Sequence, residues 1–290
     1  MSTGASSWAR SGRRTELAAA AGPARPAPAS RPRLPFVFRA VNALVRVALR
    51  IGRIRLVVEG REHVPDGPGI ILASNHLSIT DPILLDVVID GSVGRNVRYM
   101  AKAEARSMPV LGWLLQRYGG FFVRRGQADR EAYRMARAVL DGGDWLGLAP
   151  EGTRSRTGQL GEAKPGVVLL ATRAGAMVLP VAIWGSEKLW PIGARLPRPG
   201  TTVHIRFGEP YRPAEGPAGG APDARAASPD GAASGSAEPV GAARPESAPA
   251  GREAGASRSA RRRDALEAST EELMGRIAAL LPPEYRGRYG

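Results

Sequence analysis

The chain has 290 residues, 43% of them apolar, enough to furnish the core of one large domain with appendages or of two small ones. It contains no cysteine, which excludes disulfides, zinc–thiolate sites and thiol nucleophiles. The net charge of +14 favours an anionic partner: lipid headgroups, phosphorylated substrates or nucleic acid.

Residues 1–33 are Ser, Ala, Arg, Pro and Gly with almost no large apolar side chains. Such a segment cannot offset its conformational entropy, so a disordered N-terminal tail is expected. It has no continuous apolar run before a small-residue cleavage site and does not read as a signal peptide. From residue 34 to 53, Arg39, Asn42, Arg46, Arg50 and Arg53 recur at helical spacing, while Val37, Phe38, Val41, Leu44, Val45, Ala48 and Leu49 fill the other side. This pattern predicts an amphipathic helix that lies on a bilayer surface or packs on the domain. Its arginines interrupt it short of the ~18 apolar residues of a membrane span.

Strand signals come next, at 55–59, 69–74, 97–101, 120–124, 145–149, 177–184 and 202–208, with helix signals at 82–89, 103–116, 129–140 and 165–174. The alternation predicts an α/β domain over 34–212, with a mixed, largely parallel sheet flanked by helices. Residues 213–262 return to Pro, Ala, Gly, Ser, Glu and Arg and read as a flexible low-complexity insert. It ends in a basic cluster, Arg258 and Arg261 to Arg263, either solvated or touching anionic lipid. Residues 263–290 hold a capping box, Ser269 to Glu272, and an apolar stripe of Leu273, Ile277, Leu280 and Leu281, which predict a final helix docking on the domain.

Three stretches of the domain look chemical. In the first, Asn75-His76-Leu77-Ser78-Ile79-Thr80-Asp81, an apolar strand ends and a helix begins with Pro82 at its first position. His76 in that turn is an oriented general base if the turn folds Asp81 back onto its ring. Otherwise it is a satisfied polar residue and Asp81 a helix cap. In the second, Gly119 to Arg125, an apolar strand ends in two arginines, either a fork for a phosphate or a solvated strand end. In the third, Pro150-Glu151-Gly152-Thr153-Arg154, a carboxylate, a hydroxyl and a cation share one tight turn, which suits a polyol phosphate but also a capped β–α turn. It is not a P-loop, because no G-x-x-x-x-G-K-[ST] run exists.

The order of these blocks, closed by the strand Val178-Leu179-Pro180-Val181, resembles the glycerolipid acyltransferase family, whose best-known members are the 1-acylglycerol-3-phosphate acyltransferases. The likeness covers roughly residues 35–212, with two departures: Ala149 where an aromatic is common, and Arg124 where Asp is frequent. The resemblance implies that His76 is the base and Asp81 its partner. It also implies that Asn75, Lys102, Arg125, Glu151, Gly152, Thr153 and Arg154 form the acceptor site. Arginines there neutralise the phosphate, Glu151 or Thr153 takes glycerol hydroxyls, and Pro180 lines the acyl-donor side. It implies direct transfer from an acyl-CoA or acyl carrier protein thioester to a lysophospholipid, with no acyl-enzyme, cofactor or metal. An anionic membrane surface at the cytoplasmic face is the expected location, and nucleic acid is not an expected partner. The same fold with glycerol-3-phosphate or another lyso-lipid as acceptor is the nearest alternative. A non-enzymatic membrane or nucleic-acid module fits less well, since basic residues are not interleaved with aromatics.

Overall fold

The apolar run Ile70–Ser74 is buried along its whole length, because the sheet it joins is covered on both faces. The computed structural model describes residues 36–93, 95, 97–102, 120–123, 129–214 and 250–290. Among these, seven strands form one sheet: β1 (Arg55–Glu59), β2 (Ile70–Ser74), β3 (Val97–Lys102), β4 (Phe121–Val123), β5 (Trp145–Leu148), β6 (Met177–Trp184) and β7 (Thr202–Phe207). Their spatial order is β1-β7-β6-β2-β5-β3-β4, and every neighbouring pair is parallel except β6–β7. The fold is thus the expected α/β class, with β7 and β1 running against the other five strands.

The described helices are α1 (Phe36–Ile51), α2 (Asp81–Val93), α3 (Asp129–Asp141), α4 (Gly166–Ala174), the single turn α5 (Ser186–Leu189) and α6 (Ala250–Leu280). One face of the sheet packs Ile70, Leu72, Leu179 and Ile183 against Leu84, Leu85, Val88 and Ile89 of α2. The other packs Ile71, Leu146, Val178 and Ala182 against α3, α4 and the end of α6. Side chains alternate along each strand, so every strand feeds both cores. Pro180 sits buried within β6, and its carbonyl accepts from Gly208 (2.9 Å) just past the end of β7. Its missing N–H falls just beyond the last registered β6–β7 pair, Val181 with Phe207, where a proline costs the ladder little.

Two expectations change. Helix α1 is turned from the predicted orientation: Asn42, assigned to the polar face, is fully buried beside Phe38, while Leu44, assigned to the inner face, is exposed. The reason is Arg46, which donates to the Val87 carbonyl (3.2 Å) and to Asp90 (2.7 Å) and so brings a polar stripe of α1 against α2. Helix α6 starts at Ala250, inside the stretch read as flexible to residue 262, and Ser269 lies mid-helix rather than at a cap. Ala and Arg are strong helix formers even without an apolar stripe, and the stripe is what the reading relies on. Leu273, Met274, Ile277, Ala278 and Leu281 of this C-terminal stretch are buried against the sheet. The tail 1–33, the helix expected over 103–116 and the insert over 215–249 lie outside the described residues. Among the described residues, no helix is long and apolar enough to cross a membrane.

Candidate active site

Two loops leave the carboxyl ends of the parallel neighbours β2 and β5, the end at which open α/β sheets leave their crevice. The first folds back on Asp81, the opening residue of α2. Asp81 Oδ2 accepts from the backbone N–H of Leu77 (2.7 Å) and Ser78 (2.8 Å) and from His76 Nδ1 (2.9 Å). A carboxylate only accepts, so Nδ1 donates in this contact, and in the neutral tautomer that donates there Nε2 is the acceptor. The Asp81 carboxylate is 2% exposed and the His76 ring 25%, so the pair offers solvent one edge of an imidazole whose other edge is pinned.

Asn75 does not face this opening. Its buried side-chain amide donates to the Ile183 carbonyl (2.7 Å) and accepts from the Ile183 N–H (2.8 Å). Beyond Ser74 the backbone of β2 no longer reaches β6, and the carboxamide, with one donor and one acceptor, supplies the missing rung. Asn75 therefore fixes the loop on the sheet, which corrects its expected place among substrate contacts.

Glu151 is corrected in the same way. Its carboxyl is buried, with Oε1 accepting from the His76 N–H (3.2 Å) and Oε2 from the Gly161 N–H (2.9 Å). Each oxygen thus accepts from a backbone amide, and Glu151 is not among the residues of the cavity that His76 and Asp81 line. With the Ser155 N–H donating to the His76 carbonyl (2.8 Å), Glu151 laces the second loop to the first. Burial pushes the Glu151 carboxyl above the usual carboxylate range, against the opposing pull of the Gly161 and His76 amides. In the window between the ordinary carboxylate pKa and that raised value, the folded protein holds a proton that the unfolded chain has released. The stability this residue contributes is therefore full at acid pH and lost as pH rises through the window. Urea denaturation at pH 4 and pH 8 is expected to show Glu151→Gln gaining on the wild type as pH rises. A pH-independent difference would place the side chain in an ordinary solvated environment.

His76 and Asp81 line a cavity of about 460 Å³ with Gly152, Thr153, Arg154 and Arg156 of the second loop. Leu85, Tyr99, Leu148 and Ile192 supply apolar wall. Gly152 takes φ +69°, the left-handed conformation that this tight turn needs and that side chains disfavour. Gly147 lets Tyr99 lie across β5, since a Cβ there would fall 2.1 Å from the Tyr99 ring. A larger depression of about 600 Å³, lined by Trp184, Lys188, Arg198 and His204, contains neither His76 nor Asp81. Lys102 closes β3, but its side chain, like Arg125 altogether, lies outside the described residues. Of the sequence-based set, His76, Asp81, Gly152, Thr153 and Arg154 line the cavity; Arg156, Tyr99 and Ile192 are among the wall residues that set lacks. Arg156 is within reach of such a reading, two residues past Arg154 in the same turn; Tyr99 and Ile192 come from other elements and carry no local signal.

Residues 55–184, the stretch that builds most of this cavity, match the family model described as Acyltransferase. The 1-acyl-sn-glycerol-3-phosphate acyltransferase of Pseudomonas aeruginosa is 30% identical over 64% of this chain and 74% of its own length. The chloroplastic 1-acyl-sn-glycerol-3-phosphate acyltransferase of Arabidopsis thaliana is 28% identical over 48% of this chain and 39% of its own. A lyso-ornithine lipid O-acyltransferase of Pseudomonas aeruginosa is 33% identical over 39% of this chain and 42% of its own. The chain belongs to the acyltransferase family that includes the 1-acyl-sn-glycerol-3-phosphate acyltransferases. It spans only 39% to 62% of the length of several of these relatives.

Proposed function

We propose that the protein transfers a fatty acyl group from an acyl-CoA or acyl carrier protein thioester to the free hydroxyl of 1-acylglycerol-3-phosphate, giving phosphatidic acid. The observation that carries this reading is the His76 Nδ1–Asp81 hydrogen bond of 2.9 Å at the wall of a cavity that also holds Arg154 and Arg156. His76 Nε2 takes the hydroxyl proton as the oxygen attacks the thioester carbonyl. Asp81 stabilises the imidazolium, and the tetrahedral intermediate collapses with the thiolate leaving and recovering that proton from Nε2. Arg154 and Arg156 hold the acceptor phosphate and Thr153 a glycerol oxygen, with Lys102 and Arg125 as further cations for the same group. Holding hydroxyl and thioester together supplies about 7–11 kcal/mol when the geometry is right, so the phosphate grip serves rate as well as affinity.

The exposed side of α1 supports work at a membrane surface, which we take to be the cytoplasmic face, since Phe36, Leu44, Val47 and Ile51 stand out from it together with Arg39 and Arg50. Release of thiol from acyl-CoA, measured against a panel of lyso-acceptors with the product identified by mass, tests the whole reading. No release with any acceptor and either thioester donor would sink it. The likeness to a lyso-ornithine lipid O-acyltransferase favours a second acceptor class. Faster turnover of lyso-ornithine lipid in the same panel would replace the first. Arg154→Ala is expected to raise the acceptor KM about 10- to 100-fold, the worth of one charge-assisted hydrogen bond, with kcat less affected. An unchanged KM with a reduced kcat would take Arg154 out of the phosphate grip.

A further inference from the structure

The large apolar side chains exposed among the described residues fall into two groups. One is the outer side of α1. The other comprises Ile79 (53% exposed), Met100 (39%), Ile192 (59%) and Leu196 (76%). Met100 and Ile192 line the cavity that holds His76 and Asp81, and Ile79 belongs to the loop that carries His76. Scattered exposed apolar side chains are ordinary on a protein surface. Here two of them line one cavity, and the other two lie within four residues of its lining residues in sequence.

The segment 190–200 that carries Ile192 and Leu196 is held in place rather than loose. Trp190 Nε1 donates to the Ala194 carbonyl (2.9 Å), the Ala194 N–H to Pro191 (3.0 Å), and the Arg198 N–H to Leu189 (2.7 Å). Ser78 Oγ donates to the Trp190 carbonyl (3.2 Å), tying the segment to the His76 loop. At its far end the Gly200 N–H donates to the Gly52 carbonyl (2.7 Å), immediately after α1. Arg195 and Arg198 are exposed beside Leu196. A fixed protrusion with an apolar tip and flanking cations is what an anionic bilayer surface binds.

We propose that the segment 190–198 is a second membrane contact, distinct from α1. It sinks Leu196 and Ile192 into the headgroup boundary of an anionic bilayer, so that the cavity opens onto lipid. The lysolipid acceptor then presents its hydroxyl to His76 while its own acyl chain stays in the bilayer. The second half of this inference rests on the proposed lysolipid acceptor; the contact itself does not.

The test uses the full chain and vesicles of phosphatidylcholine with or without phosphatidylglycerol. Leu196→Asp is expected to weaken co-sedimentation with phosphatidylglycerol vesicles about tenfold. Arg195→Gln is expected to weaken it about fivefold on those vesicles and not on pure phosphatidylcholine. With Leu196→Asp, turnover of a vesicle-borne lysophosphatidate falls with binding, while turnover of a short-chain lysophosphatidate dissolved as monomers is unchanged. Wild-type vesicle binding by Leu196→Asp overturns the proposal, as does equal loss of turnover on both forms of acceptor. So does a sedimentation-velocity dimer that Leu196→Asp dissociates, which would make a second copy the partner. If Leu44→Asp on α1 abolishes vesicle binding while Leu196→Asp changes nothing, α1 is the whole anchor and the proposal fails. Should the wild type acylate no acceptor, the functional reading falls, and the co-sedimentation arm still decides whether the segment meets lipid.

Discussion

His76→Ala is expected to abolish the proposed acyl transfer while leaving the protein folded. Removing a positioned base costs about 10²–10⁴-fold in rate, and among the described residues the side chain's hydrogen bond is the ring contact with Asp81. Its backbone keeps the N–H bond to Glu151 and the carbonyl bond from Ser155, so both loops stay laced. Asp81 keeps its two amide donors, Leu77 and Ser78, and is not left as a bare buried charge. Loss of one hydrogen bond of about 1 kcal/mol moves the melting temperature by about 2–4 °C in domains of this size. Thiol release measured beside thermal melting checks both halves. Turnover within threefold of wild type would remove the imidazole from the chemistry, and a collapse of the melt would make it a structural residue instead.

Asp81→Asn tests the other half of the pair without emptying its space. The carboxamide oxygen can still accept from Leu77 and Ser78, so the turn closes as before. What disappears is the negative charge that steadies an imidazolium and forces the proton onto Nδ1. The expected result is a fall in kcat of about 10²–10⁴-fold with the acceptor KM within a few-fold of wild type. A change confined to KM would mean that Asp81 shapes the binding surface and that His76 needs no orienting charge.

Much of this arrangement is legible from local sequence, and the reasons for the remainder are physical. The strands announce themselves because central β2 and β6 are buried on both faces and read as unbroken apolar runs. The His76–Asp81 contact is readable because both ends lie within one turn, five residues apart. Nothing local marks the reversal of β7, whose direction is decided by the long excursion between α5 and that strand. Asn75 and Glu151 resemble ligand contacts in sequence, sitting beside reactive residues. Their partners, Ile183 and the amides of His76 and Gly161, are visible only once the strands have been set side by side. Helix α1 misleads a pattern reading because an arginine ordinarily marks the water side. Arg46 instead reaches across to the Val87 carbonyl and Asp90 of α2.

The lacing of the two strand-end loops has a geometric corollary. The His76 and Arg154 loops leave adjacent strands of one sheet, whose spacing of about 4.8 Å is a constant of backbone hydrogen bonding. With Glu151 and Ser155 bolting one loop to the other, neither can drift to suit a longer or shorter molecule. If the proposed function holds, the protein carries a built-in caliper between alcohol and phosphate. Selection for a new acceptor must then act on the jaws, at positions such as Thr153 and Arg156, because the gap between them is set by the sheet.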